Sequence, residues 1–203
     1  TPRKSLLPDE DKLTLFGLQA FIKQYLIDCF DRFFFHRPKT EVLSEYNRVL
    51  TYPLGPGSYD SEKISRLHDY GYLPLEIKAL PEGTRVPMGV PMIEISNTSA
   101  DCAWLVNSIE TLLSATLWHT MLSANIGYGY RQIVNHYYDL SVDDTVSRSR
   151  AMGDFSMRGQ ESLESAAKAS AAFCLSFLST ATVPAILYLE QYYDCNCEYE
   201  DVA

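Results

Sequence analysis

The sequence predicts an α/β protein, and three observations carry that reading. Helical spacing of apolar residues fills the first seventy positions, period-two alternation replaces it near Leu73, and a strand–loop–helix pattern occurs twice after about residue 150. An α+β part over 1–140 is therefore expected, followed by βα units over 141–203. In the first part Leu15, Leu18, Ile22, Tyr25 and Leu26 recur at helical spacing behind Asp9-Glu10-Asp11, which is suited to capping a helix start. Pro38 opens a second helix with Val42, Tyr46 and Val49 on one face. Gly55-Pro56-Gly57 ends it, and a third helix is expected over 61–70, so three helices precede any strand.

From Leu75 to Ala79 and from Met92 to Ile95, apolar and polar residues alternate. Pro81-Glu82-Gly83-Thr84 and Val86-Pro87-Met88-Gly89 read as the turns of a small antiparallel unit. Helical spacing returns at Trp104, Leu105, Ile109, Leu112 and Leu113, and a separate helix is expected over 120–138 despite Gly127 and Gly129. The polar stretch 140–150 reads as a loop and domain boundary. Beyond it, 164–178 is amphipathic, with Ala167, Ser170, Ala171, Cys174, Leu175 and Leu178 forming a small-residue face suited to packing on a sheet. A last apolar helix follows over 183–193.

Composition narrows the function classes. The chain has 203 residues, 46% hydrophobic and 21% charged, a globular make-up. Its formal charge of −9 excludes a broad positive field for nucleic acid or an anionic membrane, so an anionic substrate has to be met by local cations. No apolar run approaches the ~20 residues of a membrane span and no signal peptide opens the chain, so the protein reads as cytosolic. Five scattered cysteines do not form a disulfide framework, and Cys195-x-Cys197 reads as free thiols more readily than as metal ligands. The four histidines form no triad-like motif. The tyrosines grouped at 128–138 and 188–193 point to helix packing or an oligomer interface.

Two loops carry chemistry. Asp154-Phe155-Ser156-Met157-Arg158-Gly159 sets an aromatic ring and a guanidinium three residues apart ahead of a helix start. Arg158 can grip phosphate bidentately, Phe155 can stack a flat heterocycle, and Gly159 lets a ligand approach the backbone. The same residues equally describe a core Phe beside an Arg paired with Glu161 or Glu164. Ser179-Thr180-Ala181-Thr182 offers hydroxyls and amides to a phosphate or carboxamide, and capping of the next helix by Thr180 or Thr182 explains it as well.

Taken in order, several segments resemble the nicotinamide phosphoribosyltransferase family and, more loosely, the nicotinate phosphoribosyltransferases. They are Thr1-Pro2-Arg3-Lys4-Ser5, Leu15-Phe16-Gly17-Leu18-Gln19, 71–83, Val90-Pro91-Met92, Glu94-Ile95-Ser96-Asn97-Thr98, Trp104-Leu105-Val106-Asn107, Glu110-Thr111-Leu112-Leu113-Ser114, 154–159 and Thr182-Val183-Pro184-Ala185-Ile186. The form of 154–159 is similar to that of the bacterial nicotinamide-using branch. The resemblance implies a type II phosphoribosyltransferase barrel beginning in the last third. It implies transfer of phosphoribosyl from phosphoribosyl pyrophosphate to nicotinamide, giving nicotinamide mononucleotide and pyrophosphate for NAD salvage. By analogy Phe155 stacks on the pyridine ring, Arg158 contacts the nicotinamide or phosphoribosyl group, Arg3 binds phosphate, and Asp154 belongs to the same substrate-binding loop.

Magnesium would accompany the pyrophosphate, ATP would act as an activator, and the enzyme would be a homodimer. Ala181 stands where nicotinamide-specific members carry Asp, which accepts from the carboxamide and repels nicotinate. That leaves nicotinate as an alternative substrate. The family's phosphorylated histidine would lie beyond Ala203, and an aromatic segment reaching into the partner's site would precede Thr1. On this reading the chain is less than half of a larger enzyme, holds no catalytic residue and is inactive alone. A non-catalytic ligand-binding or interaction module is the alternative class.

Overall fold

The structure is a computed structural model and describes residues 1–5, 10–142 and 147–196. Its elements in chain order are β1 (Lys12–Thr14), α1 (Leu18–Phe21), α2 (Lys39–Leu54), α3 (Ser61–Tyr70), β2 (Leu75–Ala79), β3 (Arg85–Pro87), β4 (Ile93–Asn97), α4 (Leu105–Ser141), α5 (Leu163–Phe173) and α6 (Pro184–Tyr193). The molecule is a mixed α and β protein whose sheets are two strands each, β1 with β3 and β2 with β4. Its residues form two compact units. One comprises Thr1–Ala20, Ala79–Met92 and Ser114–Ala203, the other Phe21–Lys78 and Ile93–Leu113. Segments 1–140 and 141–203 both contribute to the first unit.

In the second unit the local signals act where they stand. Pro38, at φ −53°, precedes α2, and Gly55, at φ +82°, lets the chain leave it. The carboxylate of Asp60 accepts from the Glu62 N–H at 3.0 Å to cap α3, which ends at left-handed Gly71.

The N-terminal segment departs from expectation. Strand β1 precedes all helices, pairing antiparallel with β3 so that Leu13 lies opposite Val86. Val86 and Pro87, expected in a turn, are therefore strand residues. Asp9 lies outside the described residues. Glu10 caps no helix; its carboxylate pairs with Arg85, whose guanidinium sits 3.5 Å over the Tyr128 ring. Gly17, at φ +100°, turns the chain into α1, which passes into wide π-type turns over Ile22–Cys29 and Asp31–Phe35. A Cβ at Gly17 would lie 3.0 Å from Thr120 Cγ2, so close approach to α4 as well as backbone conformation requires glycine.

The two helices expected after Asp101 are one, α4. Gly127 does not break it, because its bare face receives Phe173 from the end of α5, where a Cβ would meet the ring at 3.2 Å. The small face of α5 packs on α6 rather than on a sheet. Ala167, Ala171 and Ala172 join Ala185, Tyr188, Leu189 and Tyr192 in a core that also holds Phe16, Ala20 and Ala124. Leu175, expected on that face, lies past the end of α5 and is exposed. The two expected βα strands reduce to a single parallel bridge between Asp154 and Thr180. No closed barrel forms among the described residues. The middle of the 140–150 loop and Cys197 lie outside them.

Candidate functional site

The bridge brings the two chemistry-bearing loops together. The Asp154 N–H donates to Ser179 O at 3.2 Å and the Ala181 N–H donates to Asp154 O at 2.9 Å. Buried Asp154 then fixes both loops with its side chain. Oδ2 accepts from Thr182 Oγ1 at 3.0 Å and Oδ1 from the Ser156 N–H at 3.1 Å. Burial pushes this carboxyl up, but hydrogen bonds from Ser156, Ser170 and Thr182 outweigh it and hold the group below its ordinary range, ionised at neutral pH. Thr180 Oγ1 accepts from the Thr182 N–H at 2.9 Å and pairs with Ser170 Oγ at 2.6 Å. Neither threonine caps α6 with its side chain, since the residue before that helix is Val183 with no side-chain cap. Both hydroxyls are already engaged within the protein.

This arrangement has a pH signature. A folded-state carboxyl below its unfolded value of 3.8 adds stability that is fully present above that pH and is lost as pH falls through the folded value. Asp154→Asn is expected to lower stability by about 2 kcal/mol at neutral pH, because it removes a charged acceptor. The gap from wild type should narrow below pH ~4, as read by urea unfolding at pH 7 and pH 3. A gap unchanged with pH would show that the carboxylate charge contributes nothing.

Above the bridge, Ser156–Gly159 forms a short 3-10 turn. Phe155 stands out from it at 78% exposure, so it is not a core residue. Arg158 is exposed and forms no ion pair with Glu161, Glu164 or any other described residue. A Cβ at Gly159 would meet nothing, so the space in front of it is open. Ser162 caps α5 by accepting from the Ser165 N–H at 3.1 Å. Phe155, Met157, Arg158, Gln160, Ser162, Leu163, Ala181 and Thr182 line an open hollow of about 530 Å³. That size suits a small-molecule ligand. Arg158 carries the only formal charge in that lining, so the hollow favours an anionic or planar polar ligand laid against the Phe155 ring.

No family model matches the sequence. The chain is 42% identical over 201 residues to a nicotinamide phosphoribosyltransferase of Acinetobacter baylyi, covering 95% of the chain and 39% of that protein. The chain is homologous to part of the nicotinamide phosphoribosyltransferases. It is 30% identical over 187 residues to the enzyme of that name from Xanthomonas campestris, covering 90% of the chain and 37% of the relative. A Mycoplasma genitalium protein of the same name is 28% identical over 55% of the chain. The chain thus spans about two fifths of the length of the first two relatives.

Of the residues singled out by likeness to the nicotinamide phosphoribosyltransferases, the fold brings Phe155, Arg158 and Ala181 to one hollow. Asp154 lies beneath it, buried, with its oxygens directed to the loops. Arg3 does not line it; this exposed residue follows Pro2, whose carbonyl accepts from the Gly89 N–H at 2.7 Å. Gln160, Ser162 and Leu163 line the hollow without having been picked out by sequence. Their only signal is position, directly after the Phe–Arg loop and at the cap of the next helix.

Proposed function

We propose that this chain forms the base-binding part of a phosphoribosyltransferase of NAD salvage, joining nicotinamide to phosphoribosyl pyrophosphate. The products are nicotinamide mononucleotide and pyrophosphate. The observation that carries the reading is the pairing of exposed Phe155 with unpaired Arg158 on one hollow, in a chain homologous to enzymes of that name. The Phe155 ring would hold the pyridine in line with the ribose carbon, and Arg158 would meet phosphate charge. As the bond to pyrophosphate breaks, positive charge develops on the ribose and negative charge on the departing group. A guanidinium facing the phosphates then binds the transition state better than the ground state. Magnesium is proposed to arrive with the pyrophosphate as its counter-ion. ATP as activator, a cytosolic setting and a homodimeric enzyme are proposed with it on the strength of the resemblance.

The test is calorimetry with nicotinamide and phosphoribosyl pyrophosphate on the complete product of the gene, with mononucleotide formation followed in parallel. Binding and turnover support the reading. Absence of nicotinamide binding sinks the substrate, and binding without turnover assigns the chain to a non-catalytic module.

Ala181 favours nicotinate as a second substrate. Its methyl group lines the hollow, where it offers no acceptor to a carboxamide and no repulsion to a carboxylate. Ala181→Asp is expected to raise the ratio of kcat/KM for nicotinamide over nicotinate by about tenfold or more, the worth of one charged hydrogen bond plus repulsion of the acid. An unchanged ratio would remove position 181 from substrate selection.

A further inference from the structure

A carboxamide laid in the Phe155–Arg158 hollow needs an acceptor for its N–H groups, and the methyl group of Ala181 supplies none. Four lining side chains carry nitrogen or oxygen: Arg158, Gln160, Ser162 and Thr182. Arg158 has donors only. The Ser162 hydroxyl caps α5, and Thr182 is fully buried with its hydroxyl donated to Asp154. Gln160 remains. Its N–H donates to Met157 O at 3.2 Å, which fixes its backbone beside the Phe–Arg turn, and its side chain is half-buried. Its Oε1 accepts from no described residue.

We propose that Gln160 selects the carboxamide, its side-chain oxygen accepting from the amide nitrogen of the bound base and offering no donor to a carboxylate at the same place. The inference rests on the nicotinamide reading above. It also supplies what position 181 lacks, an acceptor, from the neighbouring loop.

A glutamine free to turn could not discriminate, because it can present NH2 to an acid as readily as C=O to an amide. This one is held by a relay that starts at buried Asp154. The ionised carboxylate can only accept, and the Ser156 hydroxyl donates to it. With its proton directed there, Ser156 Oγ is left as an acceptor, and Gln160 Nε2 donates to it at 3.4 Å. The amide nitrogen is thereby tied to the protein, and the oxygen is the end left for a ligand. The bond is long, so a small shift of the amide toward a ligand loses little. Ser156 does not line the hollow and acts through Gln160, as a positioning residue. A neutral oxygen disfavours an acid more weakly than a carboxylate would, so nicotinate stays a poorer substrate rather than an excluded one.

The experiment is steady-state kinetics on the complete gene product with nicotinamide, nicotinate and 3-acetylpyridine, which keeps the carbonyl but carries a methyl group in place of the amide NH2. Wild type is expected to favour nicotinamide over 3-acetylpyridine by about tenfold in kcat/KM, the worth of one hydrogen bond. Gln160→Met keeps the chain length and loses the amide. It should use the two bases alike, through a higher KM for nicotinamide at an unchanged KM for phosphoribosyl pyrophosphate. Calorimetric binding of 3-acetylpyridine to this variant shows that its site is intact. Ser156→Ala frees the Gln160 amide to turn, so kcat/KM for nicotinate should rise severalfold, whereas loss of mere loop support would lower all three bases together. It decides the question if Gln160→Met does not fold. A Gln160→Met enzyme that keeps the wild-type preference, or a wild type that uses nicotinamide and 3-acetylpyridine equally, overturns the role of Gln160 and leaves phosphoribosyl transfer standing. A Ser156→Ala enzyme with unchanged nicotinate kinetics overturns the relay. Turnover of none of the three bases overturns the transfer reading together with this one.

Discussion

Replacing Arg158 with alanine is expected to lower kcat/KM for the proposed phosphoribosyl transfer by about a hundredfold or more while leaving the fold intact. Both halves follow from where the side chain stands. It is exposed and pairs with no described carboxylate, so its removal leaves no buried partner behind and stability should change by less than about 0.5 kcal/mol. Its guanidinium is also the only formal charge in the lining of the hollow, so no neighbour there can take over the phosphate. Loss of one preorganised donor to developing charge typically costs ~10²–10³ in rate. Arg158→Lys should recover part of the loss, because an ammonium keeps the charge but not the planar fork that grips two oxygens at once. The check is steady-state kinetics on the complete gene product, with urea unfolding as the control for folding. Wild-type kinetics in Arg158→Ala would remove this residue from the site, and equal losses in the Ala and Lys variants would show that fork geometry, not charge, is what matters.

Local signals were legible in the sequence, and long-range ones were not. Pro38 and Gly55 mark helix ends through bonds to residues a few positions away, α2 begins and ends where those residues say, and α3 fills the expected 61–70. Alternation over 75–79 and 92–95 likewise marks β2 and β4, the latter running on to Asn97. By contrast β1 has only three residues, and what makes it a strand is β3, more than seventy positions later. The same pairing turns Val86 and Pro87 from turn into strand. The helix expected through 120–138 despite Gly127 has its reason in Phe173, 46 positions later, which occupies the bare face of that glycine. The site divides in the same way. Phe155 and Arg158 are three residues apart and their loop is visible as a motif. Ala181 joins them only through the parallel bridge. Asp154 belongs to the loop that the resemblance assigns to substrate, and its carboxylate is directed to Ser156 and Thr182, a positioning that depends on a partner 28 positions away.

The largest effect on stability is expected from Glu82, in a segment that local patterning marks only as a turn. Its Oε2 accepts from the Gly17 N–H at 2.7 Å and from the Tyr193 hydroxyl at 2.8 Å, and its Oε1 accepts from the Gln19 N–H at 2.6 Å. Gln19 in turn donates through Nε2 to Tyr192 O at 2.6 Å, and Tyr193 stacks on Phe16 with ring centroids 5.0 Å apart. One carboxylate therefore ties the start of α1 to the end of α6 over the aromatic core. Burial, reinforced by the charge of Glu82 and by Tyr188, pushes the Tyr193 hydroxyl far up, so this donor stays protonated across the ordinary pH range. Glu82→Ala leaves the buried Gly17 N–H and the Tyr193 hydroxyl without an acceptor, at about 1–3 kcal/mol each, whereas water can replace the bond at exposed Gln19. A loss of roughly 3 kcal/mol is expected, seen as a lower urea midpoint at unchanged slope. Glu82→Gln keeps one acceptor oxygen and should lose about half as much. Glu94→Ala, at an exposed position of β4, should lose less than about 0.5 kcal/mol. If Glu82→Ala falls within 1 kcal/mol of wild type, water reaches Gly17 and Tyr193 and the carboxylate is not what holds the two helix ends together.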